Sequence, residues 1–200
     1  MALNFASNNS LSAITTLPAS ISGGGMTLIS EQTASGSASI EFTSGIDSTY
    51  DSYVFKFINL HPQNNSVSFQ FNMSSDGGSN YNVTKTTTYF KTYHDEGGTA
   101  SGIIYEPSYD LAQSTSFQQL TENTGNENDE CFVGTMSLYN PSSTFVKHFL
   151  FKSSEYQHQN YNLSTYVAGY GNTQSSINAI QFKFSSGNID SGVIKLYGVS

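Results

Sequence analysis

The chain has 200 residues, enough for one β-sandwich or barrel with a real core, and it carries a formal net charge of −8 with only 11% charged residues. All seven basic residues are lysines (Lys56, Lys85, Lys91, Lys147, Lys152, Lys183 and Lys195), and a chain without arginine lacks the planar fork that reads phosphates and guanine edges. Lysines dispersed along the sequence predict no basic stripe, which argues against nucleic acid as a partner, and the negative charge argues against an anionic membrane.

The apolar content is carried by 14 Phe and 13 Tyr with no Trp, and solubility rests on Ser, Thr, Asn and Gln. Aromatic pairs suit pleated surfaces. Cys131 is the only cysteine, which excludes an internal disulfide framework and a multi-cysteine metal site. It follows an acidic stretch and precedes Phe132, so a buried strand thiol is expected. Met1 to Phe5 has no basic n-region, polar Ser7-Asn8-Asn9-Ser10 follows, and no run is apolar enough to be a transmembrane helix. The expectation is synthesis in a cytoplasm, with any outer surface reached by assembly or lysis.

Residues 1–25 scatter Leu3, Phe5, Leu11, Ile14, Leu17 and Ile21 among Ser, Thr and Asn, and end in Pro18 and a Gly23-Gly24-Gly25 hinge. Such a segment is either an arm that docks on a neighbouring subunit or a disordered leader. Residues 26–200 are expected to form the folded domain. Met26 to Gln32 and Ser37 to Phe42 read as a first strand pair. Tyr53 to Leu60 is apolar at nearly every position and reads as a central strand. Ser66 to Met73 alternates, with Val67, Phe69, Phe71 and Met73 inward and Ser68, Gln70 and Asn72 outward. Asp76-Gly77-Gly78-Ser79 reads as a hairpin turn leading to a strand over Val83 to Tyr93. Gly102 to Tyr105 is a short strand stopped by Pro107.

Ser108 to Glu130 is the least strand-like stretch: Asp110 to Leu120 suits a short helix or an irregular edge, and Glu122 to Glu130 an acidic loop. Phe132 to Tyr139 and Thr144 to Phe151 are strands joined by the turn Asn140-Pro141-Ser142-Ser143. Tyr161 to Gly169 follows. Ile177 to Ser200 reads as a closing hairpin, with Ile180, Phe182 and Phe184 on one face. Ten or eleven short strands predict an all-β protein, a jelly-roll-like antiparallel β-sandwich with an extended N-terminal arm.

Signals for chemistry are weak. His61, His94, His148 and His158 are not at ligand spacing. His94-Asp95-Glu96 suits a solvated turn better than a metal site, and His148 an ordinary face position. Glu122, Glu127, Asp129 and Glu130 could hold Ca²⁺ but lack ordered ligand spacing, so a solvated charge run is expected. Ser101 has the wrong spacing for a nucleophile elbow, and nothing marks a carboxylate pair. No metal, cofactor or catalytic residue is therefore assigned, and no enzyme activity is expected. Tyr50, Tyr53, Tyr81, Tyr89, Tyr93, Tyr156, Tyr161, Tyr166 and Tyr170 fall near turns and strand ends. They suit cross-strand packing, protein interfaces or stacking on sugar rings.

The run Phe42 to Tyr50 followed by Tyr53 to Pro62, together with Ser75 to Tyr81, Asp110 to Phe117, Ile177 to Val199 and the leader Leu11 to Pro18, resembles uncharacterised virion structural proteins of marine tailed bacteriophages. The resemblance implies a virion component and brings no catalytic residues. Head decoration is the first expectation: a cap that bridges capsid subunits, forms homo-oligomers with trimers favoured, and is anchored through Leu3, Phe5, Leu11, Ile14 and Leu17. The alternative is a tail or head fibre tip, or a carbohydrate-binding module that reads a host surface glycan.

Overall fold

The computed structural model describes residues 25–200, and its regular structure is almost wholly β. The expected anchor residues Leu3, Phe5, Leu11, Ile14 and Leu17 lie outside the described residues. Twelve strands follow in order: β1 (Thr27–Ser37), β2 (Ile40–Phe42), β3 (Ser52–Pro62), β4 (Phe69–Ser74), β5 (Lys85–Asp95), β6 (Ser101–Tyr105), β7 (Gln118–Gln119), β8 (Phe132–Tyr139), β9 (Lys147–Gln157), β10 (Tyr161–Gly171), β11 (Ala179–Phe184) and β12 (Ile189–Val199). One 3-10 turn, Pro107–Tyr109, lies between β6 and β7. The strands form an eight-stranded sheet, β1-β12-β3-β8-β9-β10-β5-β6, and a four-stranded sheet, β2-β11-β4-β7. Every pairing is antiparallel, and the two sheets pack as a jelly-roll-like sandwich.

The chain switches sheets at most of its connections. Only β5–β6, β8–β9 and β9–β10 are sequence neighbours that also pair. Three expected hairpins are thereby corrected. β1 pairs with β12, whereas β2 crosses to the other sheet and pairs with β11. Asp76 to Ser79 carries the chain from the small sheet to the large one, so β4 and β5 do not pair. β11 and β12 also part, β11 lying between β2 and β4 and β12 between β1 and β3. The physical reason is common to all three. A period of two says which face of a strand is buried but not which strand lies beside it, and opposed inner faces bury more aromatic surface than a two-stranded ribbon would. The Asn140 to Ser143 turn does join a paired hairpin, with Asn140 at φ 44° and its carbonyl accepting the Ser143 N–H at 3.1 Å.

The core lies between the sheets. Phe182 of β11 is surrounded by Phe55 and Phe57 of β3, at ring separations of 5.2 and 5.1 Å, and by Phe69 of β4 at 5.9 Å. Tyr53, Phe132, Phe149, Ile194 and Leu196 extend this layer and are fully buried. β3 is an interior strand, paired on both edges. Ser108 to Glu130 is an irregular edge rather than a helix, with β7 closing one side of the small sheet.

Three lysines enter the protein instead of facing solvent. Lys85 donates to Asn72 Oδ1 and to the Val83 carbonyl at 2.9 Å, and burial pushes its ammonium pKa down to about 7. Asn72 is thus buried under the loops, not outward and wet, and its amide donates to the carbonyls of Tyr81 and Thr115. Lys147 caps the carbonyls of Ser143 and Phe145. Lys91 is ion-paired with Glu122 and lies 3.6 Å from Glu106.

Candidate functional site

Strand register sets the candidate surface on the outer face of the large sheet. On β5, Lys85, Thr87, Tyr89 and Lys91 point inward, which turns Thr86, Thr88 and Phe90 outward. Cross-strand pairing then links Tyr105, Phe90, Tyr166, Lys152, Thr135, Lys56, Lys195 and Glu31 in one row across all eight strands. Directly opposed side chains on such a row have Cβ atoms about 5 Å apart. The neighbouring row runs Thr88, Ala168, Leu150, Ser137, Val54, Tyr197 and Leu28.

One end of the face is aromatic. The rings of Phe90 and Tyr166 stack with centroids 4.9 Å apart and planes 8° from parallel, yet 41% and 39% of these residues remain exposed. Leu150 is 52% exposed and Tyr139 is 41% exposed beside them. Because Ala168, Ser137 and Thr135 are small, the surface dips between the Phe90–Tyr166 pair and the Leu150–Tyr139 side, forming a groove of about 350 Å³. Adjoining depressions share its residues. One continues past Tyr139 and Leu150 to His148 and Tyr170, the other past Tyr166 and Lys152 to Lys56 and Val133. Together they make a trough along the strands from the level of His148 to that of Ser154, roughly 20 Å at the rise of an extended chain.

The middle of the face is cationic. With Lys85, Lys91 and Lys147 buried, Lys152, Lys56 and Lys195 account for most of the outward positive charge, and the register sets all three on one row. The expectation of dispersed lysines is corrected here, since residues far apart in sequence become neighbours across strands. Lys195 is held by Glu31 at 2.7 Å, and Lys56 lies over the Tyr197 ring at 5.4 Å. Lys152 has no ion pair among the described residues.

No protein-family model matches the chain, and no curated protein matches it in sequence. The functional reading therefore rests on the geometry.

A second polar cluster sits between the sheets near the β5–β6 edge. Glu155 of β9 is fully enclosed, accepts hydrogen bonds from the Thr124 hydroxyl and the Glu122 N–H, and has its carboxyl pushed up to about 8, chiefly by burial. The Tyr89 hydroxyl lies 3.3 Å from the Thr165 hydroxyl, and burial raises its pKa. Glu106, Glu122 and Glu155 thus gather around Lys91, a group of carboxylates that their sequence spacing does not reveal. A carboxyl without access to solvent cannot reach a substrate, so Glu155 is an internal strut that joins the 121–124 loop to β9.

The acidic loop is more ordered than a solvated charge run. Glu130 is buried and its carboxylate accepts the Glu127 N–H at 2.7 Å, while Glu122 is held by Lys91. Among the described residues no three His, Cys, Asp or Glu side chains converge as metal ligands. Asp95 organises the turn after β5 by accepting the N–H groups of Thr99 and Ala100, and His94 is exposed. His61 lies within β3, 3.4 Å from Asp190. Cys131 is half-buried just before β8, and burial raises its thiol pKa. Of the tyrosines, Tyr53 and Tyr89 are wholly internal. Tyr166 is the one the outer face presents in mid-strand.

Proposed function

We propose that this chain is a structural module of a virion surface, decorating or cementing a capsid, with residues 1–25 as its tether and the outer face of the large sheet as its recognition surface. The observation that carries the reading is the exposed row of Tyr105, Phe90 and Tyr166 with Leu150 and Tyr139 beside it, mounted on an interlocked sandwich. Large apolar side chains left in water on a rigid sheet mark a surface that meets a partner. The sequence resemblance to phage virion proteins supports the setting, and the uncharged, sparsely apolar segment 1–24 supports a tether. A fibre tip uses the same face and differs in how many copies the particle carries.

Deletion of residues 1–22 tests the tether. The expected result is a folded sandwich that no longer associates with purified particles. Unchanged association of the truncated protein would overturn the assignment of residues 1–25.

A further inference from the structure

We infer that the trough on the outer face binds a linear, anionic saccharide. This rests on the outer face being the recognition surface, and it names the ligand chemistry. The trough offers an aromatic wall (Phe90, Tyr166), a floor whose hydroxyls (Thr135, Ser137) have no hydrogen-bond partner among the described residues, and the ammonium of Lys152 at the end of the aromatic row. Among the described residues, Lys152 has no ion-pair partner. Side-chain hydrogen bonds on this face lie at the ends of the trough, where Ser154 bonds Asn162 and Thr86 accepts from Gln113.

These unengaged polar groups decide between ligand classes. An apolar protein segment laid in the trough would cover Lys152 and two hydroxyls without giving them partners, and a polar group buried without a partner opposes binding. A polyol with a carboxylate or sulfate satisfies them all. Its ring C–H face packs on Tyr166, its hydroxyls bond Ser137 and Thr135, and its anionic group meets Lys152, with Lys56 two strands further on. Charge complementarity points the same way, because a chain of net charge −8 sets three of its four lysines that are not buried in one row on this face. The three adjoining depressions make the site a track for several residues of a polymer instead of a cup for one ring.

The test is affinity electrophoresis and calorimetry of the full chain against polygalacturonate, alginate and a sulfated galactan, with starch and hydroxyethyl cellulose as neutral polymers. The expected result is binding to at least one polyanion, at least tenfold tighter than to either neutral polymer. Lys152→Met should weaken it about tenfold or more, as loss of one charged hydrogen bond implies. Tyr166→Ala should weaken it at least tenfold, and Ile103→Ala, on the same sheet but outside the trough, should leave it unchanged. Circular dichroism and thermal melts establish that each variant is folded. Absence of binding to all three polyanions, equal binding to the neutral polymers, or binding that survives Tyr166→Ala in a folded protein would overturn the inference. The last result would reduce the interaction to ion exchange. None of these failures touches particle association, which is measured separately.

Discussion

Replacing Phe182 by alanine removes the ring through which the two sheets meet. The side chain is fully buried, and five rings surround it: Phe57, Phe55, Phe69, Phe71 and Phe42, with centroids 5.1, 5.2, 5.9, 6.3 and 6.4 Å away. A buried Phe→Ala change costs about 3–5 kcal/mol, and aromatic pairs add about 0.5–1.5 kcal/mol each beyond their area, though not additively. With aromatic neighbours on both sheets the cavity cannot collapse by a small shift of one strand, so the cost should fall near 4–5 kcal/mol. For a protein of this size that is a fall in Tm of roughly 10–20 °C. Phe182→Leu keeps most of the buried area and should cost about 1–2 kcal/mol. Urea unfolding followed by tyrosine fluorescence and circular dichroism gives both values, with an unchanged m-value showing that the same transition is compared. A cost below about 1.5 kcal/mol for the alanine variant would refute an aromatic junction between the sheets.

Glu155→Gln should acquire a pH-dependent advantage. Folding favours the protonated carboxyl, so its contribution is complete below about 4.5 and is lost as pH rises to about 8; the variant should gain on the native protein across that window, by at most about 1.4 kcal/mol per pH unit, in urea melts at fixed pH values. A constant difference would mean the carboxyl titrates normally in the folded state. Lys91→Met removes the cation from between Glu122 and Glu106 and should destabilise by about 3 kcal/mol in the same assay, whereas the exposed Ile103→Ala should stay within about 0.5 kcal/mol. Gly192 sits in β12 at φ +121°, where an added Cβ would lie 2.6 Å from the Asn59 carbonyl oxygen, so Gly192→Ala should cost more than about 1 kcal/mol and depress Tm measurably. Cys131 should react with a thiol reagent at neutral pH much more slowly in the folded protein than in urea, because burial raises its pKa.

The strands were readable where one face is buried and the other wet. β4 presents Phe69, Phe71 and Met73 to the core as its spacing implies, whereas β9, expected over Thr144 to Phe151, runs Lys147–Gln157 because its second half buries Ser153, Glu155 and Gln157, which carry no apolar period. Sheet membership was not readable. β12 pairs with β1 and β3 across most of the chain, and nothing local in Ile189–Val199 distinguishes those partners from β11. The buried lysines had a signal, since Lys85 and Lys91 share a period-two face with Tyr89, but lysine is so often exposed that its residue type outweighs the pattern. Long-range register also created the candidate site. Phe90, Tyr166, Lys152 and Lys56 lie on four separate strands and become neighbours only when β5, β10, β9, β8 and β3 lie side by side. The same register explains why position near a turn was a poor guide to exposure: Tyr53 and Tyr89 went into the core, while Tyr166 is exposed in mid-strand.

Quantitative mass spectrometry of purified virions, giving the copy number of this chain relative to the major capsid protein, tests the assignment most directly. Abundance comparable to the shell protein is the result expected of a capsid decoration. Complete absence from the particle would contradict a virion role, and a few copies per particle would contradict decoration and assign the outer face to a fibre.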